Sequence, residues 1–448
     1  MRDAGFGALA GLVGGLVFGT VMARIGFLPT VAGIVRTDSP AVGFAVHLLI
    51  AAIVGGVFGV LVARQRELLF WGLAYGVLWW FLGPLTLLPI LLGEPVAWHV
   101  AAARDLVPSL LGHLAYGAAT AAALALLARE QRRPGAGLLV RASLAGLLAS
   151  PLLGLGWSGP VVGVLAGASY AVVFGDPREG SGPVLIRGAA FGFVWWVLAA
   201  VTLSPLLDGR GLAWSAAAVR TAVAELPAYV LLGAVMALLI CWLGGLSRAV
   251  FSDDVRDALE RRLAAGGRVI SLWHGVAAGL TGGVLFTGVM VTVGFLPTVA
   301  SLVGSGSAAV GLVLHLLISQ VVGVTYALFF RRRSFDAASG IGWGVSYGLL
   351  WWILGNLTLL PVLLGAGPRW SAAELAESFP SLVGHLAYGA ALGLVYQRLE
   401  ARVSPGHLTR SQAAAARATA RREQTLSAAP ALWSLLACVA LLVPVLVA

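Results

Sequence analysis

Apolar stretches of 18 or more residues recur along the whole chain, and the segments between them are short. One such run suffices to cross a hydrocarbon core about 30 Å thick. Backbone groups in lipid have to find their partners within the segment, so each run predicts a helix. The spans are expected at 6–27, 41–63, 68–92 and 104–128, then at 138–156, 158–175, 184–207 and 217–243. Further along they fall at 272–297, 308–330, 338–365 and 376–398, and a thirteenth follows at 429–447.

The residues inside these spans repeat. "GFLPTV" at 26–31 returns at 294–299, "HLLI" at 47–50 returns at 315–318, and "GHLAYGAA" occurs at 112–119 and 384–391. "YGVLWWFLGPLTLLPILLG" at 75–93 returns as "YGLLWWILGNLTLLPVLLG" at 347–365. The offset is 268 residues early and 272 later, so four residues are gained after the second helix. A decayed copy lies between: "FGFVWWVLAAVTLSPLLDG" at 191–209 keeps Trp195, Trp196, Thr202 and Pro205 at the spacing of Trp79, Trp80, Thr86 and Pro89. Trp214 likewise matches Trp98 and Trp370.

The chain therefore reads as an all-α polytopic membrane protein of about 13 transmembrane helices: three parallel four-helix repeats plus one C-terminal span. Repeat 1 occupies 1–133, a degenerate repeat 2 occupies 134–247, and repeat 3 occupies 271–400. Cytoplasmic linkers are expected at 248–270 and 401–428, and the C-terminal transmembrane helix at 429–448. Four spans per repeat give all copies one orientation, unlike the inverted pairs of many carriers. Three parallel units predict a fused pseudo-trimer about an axis along the membrane normal.

Composition agrees with lipid as the main solvent. The chain is 59% hydrophobic and 11% charged, where a soluble protein carries roughly 25% charged residues. The net charge of +10 does not mark nucleic-acid binding, because the 29 basic residues, all arginine, are spread over the gaps between apolar runs. With the N-terminus inside, 23 arginines fall on inner segments and 6 on outer ones. That bias puts the N-terminus and the linkers in the cytoplasm and, after an odd last span, the C-terminus outside. Cys241 and Cys438 both fall in spans and predict no disulfide. In the first linker, "FSDDVRDALERRLAAGG" (251–267) predicts a short helix with Ser252 as N-cap and Gly266 as stop.

Few polar side chains enter the spans, and those that do recur. His47 and His113 lie, at 1.5 Å per residue, roughly 9–14 Å below the outer edge. Thr86, Pro89 and Met22 reach similar depth, and repeat 3 reproduces the set as Met290, His315, Thr358, Pro361 and His385. Repeat 2 has Gly159 and Leu232 where the two histidines would fall. Joint loss predicts joint purpose: within repeats 1 and 3 the two imidazoles should share a pocket.

Intramembrane ionisable residues are functional by default. His47, His113, His315 and His385, with Thr86 and Thr358, are thus the candidate ligand-binding set. Met22 and Met290 are two of only four methionines. Two imidazoles with a thioether suit copper, and either group can hold haem iron axially, so Met22, His47, His113, Met290, His315 and His385 form a candidate metal set. The structural alternative is a cross-helix hydrogen bond, with Thr86 as natural partner, worth about 0.6 kcal/mol. Trp79 and Trp80 are expected within the bundle and Trp98 in an aromatic belt. Gly55 and Gly59 should permit close helix contact, and Gly112 and Gly117 should let a neighbouring helix approach His113. Asp105 and Glu377 are expected at the outer mouth, as hydrated helix starts.

No G-x-x-x-x-G-K-[ST], H-E-x-x-H or G-x-S-x-G string occurs, and no span carries a central Asp or Glu. An enzyme is not expected. The succession "VHLLIAAI", "FWGLAYGVLWWFLGPLTLLPILLG", a lone Trp and "LLGHLAYG" resembles the YagU-like inner-membrane proteins of bacteria. The resemblance covers about 8–128 and 275–398, and only faintly the middle of the chain; His47, His113, His315 and His385 are the matching positions. It implies a four-helix unit in the bacterial inner membrane and carries no activity over.

Three functions stay open. The first is a channel- or carrier-like protein of the bacterial plasma membrane that binds or passes a small solute or ion at the histidines. The second is a haem- or copper-binding redox or metal-handling protein. The third is a non-catalytic scaffold or accessory subunit. The expected partners are the lipid bilayer and a small solute or ion, with no nucleic acid; no protein partner is identified.

Overall fold

The computed structural model describes residues 2–65, 67–127, 134–177, 180–212, 214–251, 255–331, 333–334 and 336–402, with isolated positions beyond 410. Ser252 lies outside the described residues, as do almost all of the expected second linker and last span (401–447). Among the described residues there is no strand, and 11 helices are long and apolar enough to cross a membrane. The chain is a polytopic α-helical membrane protein.

The main helices are α1 (Arg2–Arg24), α2 (Pro40–Leu61), α3 (Leu68–Leu82), α4 (Val107–Leu127), α5 (Ala136–Ala149) and α6 (Ser158–Phe174). They continue as α7 (Ser181–Trp195), α8 (Leu226–Phe251), α9 (Val255–Thr292), α10 (Ala308–Phe330), α11 (Ala337–Trp351) and α12 (Phe379–Arg402). Of these, α6 is apolar but shorter than a full span, at 17 residues. Two compact units result: Met1–Arg133 with Val197–Val223 and Leu426–Ala448, and Pro134–Trp196 with Ala224–Thr425.

In the first unit α1 packs against both α2 and α4, and α3 packs against α4. Glycine sets the α1–α2 spacing. A Cβ on Gly11 would stand 2.3 Å from the Ala51 carbonyl oxygen, and one on Gly55 would stand 2.5 Å from that of Gly7. Lipid tails are as apolar as leucine, so close backbone approach replaces the hydrophobic drive between membrane helices. Two phenols add cross-links: Tyr75 donates to the Val54 carbonyl at 2.9 Å and Tyr116 to that of Ala51 at 2.8 Å. After α1 the chain turns at Gly26, with φ of +71°, into a short helix Leu28–Ala32 that packs on α2. The sequence predicts no such element within "GFLPTV"; the left-handed glycine and Pro29 at the helix start account for it.

In the second unit α8 packs against α5 and α7, α9 against α10 and α12, and α11 against α12. Two expectations are corrected here. The helix from Val255 continues through Gly266 and Gly267 to Thr292, because each glycine weakens a helix by only about 1 kcal/mol and does not by itself end it. Arg187 is not in a gap: it is buried within α7, its guanidinium 5.5 Å from the centre of the Phe174 ring. A cation over an aromatic face is partly compensated for lost water.

Three stretches depart from α geometry. Gly83–Leu87, Trp196–Leu203 and Trp352–Leu359 wind as π-helix. In each, a threonine hydroxyl donates to the carbonyl five residues back: Thr86 to Phe81, Thr202 to Val197 and Thr358 to Ile353, all at 2.8 Å. Each threonine oxygen also accepts an indole N–H, from Trp98 at 3.0 Å, Trp214 at 3.1 Å and Trp370 at 3.1 Å. Thr86→Val removes both bonds, so it should lower stability by about 1–3 kcal/mol, whereas Thr86→Ser should be near neutral. Thermal unfolding of the detergent-purified variants measures this, and equal midpoints would remove the bridge as a stabilising element.

Candidate functional site

α1, α2 and α4 bring three rings together in the first unit. Phe18 lies edge-on to His47, with centroids 5.4 Å apart at 88°, and to His113, at 4.7 Å and 62°. The helices carrying the histidines both pack on the helix carrying the phenylalanine, and Phe18 contacts both imidazoles. A carbonyl oxygen can only accept, which sets the protonated nitrogen of each ring. His47 donates from Nε2 to the Gly15 carbonyl at 3.0 Å, and His113 from Nδ1 to the Ser109 carbonyl at 2.8 Å. In the neutral rings His47 Nδ1 and His113 Nε2 are left as acceptors.

The octapeptide 112–119 can now be read residue by residue. Gly112 makes room for Phe18: a Cβ there would lie 1.9 Å from the ring. His113 supports the other edge of that ring, Tyr116 ties α4 to α2, and Gly117 abuts Gly72 of α3. The same set recurs in the second unit. Phe286 lies 5.3 Å from His315 and 4.7 Å from His385, His315 donates to Gly283, His385 to Ser381, and Tyr388 to Ser319.

The structure thus joins the histidines of one repeat through a phenylalanine that sequence reasoning missed, and through Tyr116 and Tyr388. The offset of 268 between Phe18 and Phe286 was the available signal. Thr86 and Thr358 do not join them. Their hydroxyls bridge a π-turn carbonyl and an indole, and the partner expected of Thr86 at a histidine is instead the Gly15 carbonyl.

A cavity of about 330 Å³ opens beside His47 and His113, walled by Phe18, Met22, Val31 and Trp79. A Cβ built on Gly83, where the π turn begins, would lie 3.7 Å from His113 Nε2. The wall is almost wholly apolar, and its rim includes the exposed side chains of Ile50, Ile53, Leu87 and Leu91. In the second unit the cavity beside Met290 has another outline, of about 250 Å³, and neither His315 nor His385 lines it. Asp105 is exposed, whereas Glu377 binds Arg369 at 2.6 Å. Among the described residues no group of three or more His, Cys, Asp or Glu side chains converges as a metal site. No family model matches the chain, and no curated protein or solved structure matches it.

Proposed function

We propose that the protein is a carrier-like, non-enzymatic protein of the bacterial inner membrane that takes up a small lipophilic molecule bearing one polar group. In this reading it comprises three parallel four-helix repeats and a thirteenth span, with the N-terminus cytoplasmic and the C-terminus outside. The YagU-like resemblance and the arginine bias support that arrangement. The carrying observation is the cavity of the first unit: about 330 Å³, apolar on nearly every side, with two imidazoles on one wall. An ion would find nothing there to replace its hydration shell. An apolar body with a single hydroxyl or similar donor would meet apolar walls and the free nitrogen of His113. The rim of exposed isoleucine and leucine lies on membrane-spanning helices, so entry is from the bilayer.

A long-chain alcohol carrying a diazirine tests this. Photolabelling in proteoliposomes, mapped by mass spectrometry, should mark Met22, His47, Trp79 or His113. Ile50→Trp fills the rim and should cut that labelling roughly tenfold, the factor for about 1.4 kcal/mol. Labels confined to lipid-facing Leu49 and Val57, equal in both proteins, would end the reading.

One observation favours a second reading. Each imidazole gives one N–H to a backbone carbonyl, the arrangement that orients metal-ligating histidines. Met22 lines the same cavity. Against it, the rest of the cavity lining is almost wholly apolar. A visible spectrum without a Soret band, together with copper-free elemental analysis, disposes of haem and copper. Co-purification of a stoichiometric protein would instead favour a scaffold.

A further inference from the structure

The third repeat differs from the first at four aligned positions that face one space. Asn356 stands where repeat 1 has Pro84, Arg369 where it has Ala97, Glu377 where it has Asp105, and Ser378 where it has Leu106. One backbone bond is common to both: Ala97 N–H donates to Leu85 at 2.9 Å, and Arg369 N–H to Leu357 at 2.8 Å. The π stretch is longer in repeat 3, Trp352–Leu359 against Gly83–Leu87, so backbone and side chains both change the wall. All four side chains line the cavity of about 250 Å³ together with Phe286, Met290 and Phe295, so its lining is part apolar and aromatic and part polar and charged.

Around its polar part stand one cation and two anions, of which Arg369 and Glu377 line the cavity itself. Arg369 Nη2 lies 2.6 Å from Glu377 Oε2, and its Nε lies 3.7 Å from Glu374 Oε1. The Ser371 hydroxyl, aided by its backbone N–H and by Arg369, holds the Glu374 carboxyl below the usual carboxylate range. One guanidinium thus faces two carboxylates, a local net charge of −1 that one further cation would balance. The Asn356 amide has no hydrogen-bond partner among the described residues. The Ser378 hydroxyl donates to the Leu375 carbonyl at 3.1 Å, which leaves its oxygen free to accept.

From this we infer that the third repeat carries a second binding site, for a small primary amine with a hydrocarbon body. Its ammonium sits between Glu377, the Asn356 carbonyl and the Ser378 oxygen, and its hydrocarbon part lies on Met290, Phe286 and Phe295. An aromatic wall attracts a cation and does nothing for an anion. A neutral alcohol gains the apolar wall only. The inference is independent of the reading of the first unit, because it uses none of the residues that line the other cavity.

Hexylamine, hexanol and hexanoate, matched in hydrocarbon length, are the probes. Thermal stabilisation of the full-length protein in a non-ionic detergent is the measurement. Hexylamine should stabilise at concentrations at least about tenfold lower than either of the others. Glu377→Gln and Asn356→Leu should each weaken hexylamine by about tenfold or more, and Arg369→Leu should strengthen it by removing the competing cation. If Glu377→Gln does not fold, Ser378→Leu, which installs the repeat 1 residue, carries the same test. Ile50→Trp should leave amine binding unchanged, so failure here and failure of the first-unit reading are distinguishable. Equal potency of amine and alcohol, stronger binding of hexanoate, or an unaltered response in Glu377→Gln and Ser378→Leu would overturn the proposal.

Discussion

Gly55→Val should lower stability by about 3–5 kcal/mol, whereas Gly56→Val, one residue along, should be near neutral. At Gly55 a Cβ would lie 2.5 Å from the Gly11 Cα and from the Gly7 carbonyl oxygen; both are backbone and cannot turn aside. At Gly56 the nearest atoms are 3.4 Å and 3.8 Å away, in ordinary contact. To admit the valine, α1 and α2 must separate by an ångström or more. The bonds from His47 to Gly15 at 3.0 Å and from Tyr116 to Ala51 at 2.8 Å would then pass beyond hydrogen-bond range. Overpacking costs about 1–3 kcal/mol and each lost bond about 1 kcal/mol. Together these remove a large part of a typical net stability of about 5–15 kcal/mol. The yield of monodisperse protein and its unfolding midpoint report the outcome. Similar values for the two valine variants would mean that α1 and α2 do not meet as described.

The second large effect is expected at Gly112. Even alanine there would overlap the Phe18 ring, with Cβ only 1.9 Å from Cε2 and 2.4 Å from Cδ2. The ring already contacts both imidazoles, so any shift that admits the methyl group disturbs those contacts. Gly112→Ala should therefore expel Phe18 and lose both edge contacts, each worth about 0.5–1.5 kcal/mol. The cavity wall goes with the ring, so labelling by the diazirine alcohol should fall by about tenfold or more. Phe18→Leu relieves the overlap, and the double variant should recover part of the stability, with a coupling of about 0.5–3 kcal/mol. Strictly additive losses would show that the two residues do not touch.

The middle repeat supplies a natural contrast. It keeps the threonine–tryptophan bridge, Thr202 with Trp214, at nearly the same distance as the other two copies. It has neither histidine. The bridge accompanies the π turn of every third span, so it belongs to the frame. Among the described residues the histidine–phenylalanine set occurs at Phe18 and Phe286 and has no counterpart beside Thr202, so it is separable from that frame. This is the physical ground for placing binding at the set and leaving Thr86 and Thr358 out of it.

Much of this was legible in the sequence. Lipid imposes one condition, apolar side chains over a helical length, and that condition is a sum over a single segment. The all-helical class and eleven of the expected spans follow from it. Repeated strings also marked the histidine pairs, because two copies of a rare polar residue in an apolar run stand out. Phe18 did not stand out, since one phenylalanine among many apolar neighbours carries no mark. Nor did the true partner of Thr86, which lies 12 residues away on a tryptophan expected to face a membrane boundary.

Only the tertiary structure decided which side chains share a space. Whether Arg187 lies in a loop or over a ring, and whether one cavity is apolar and the other charged, depends on residues from several helices converging. Hydropathy adds along one helix and is therefore readable from order alone. Contact belongs to pairs of residues far apart in the chain, and it exists only once the helices have chosen their neighbours.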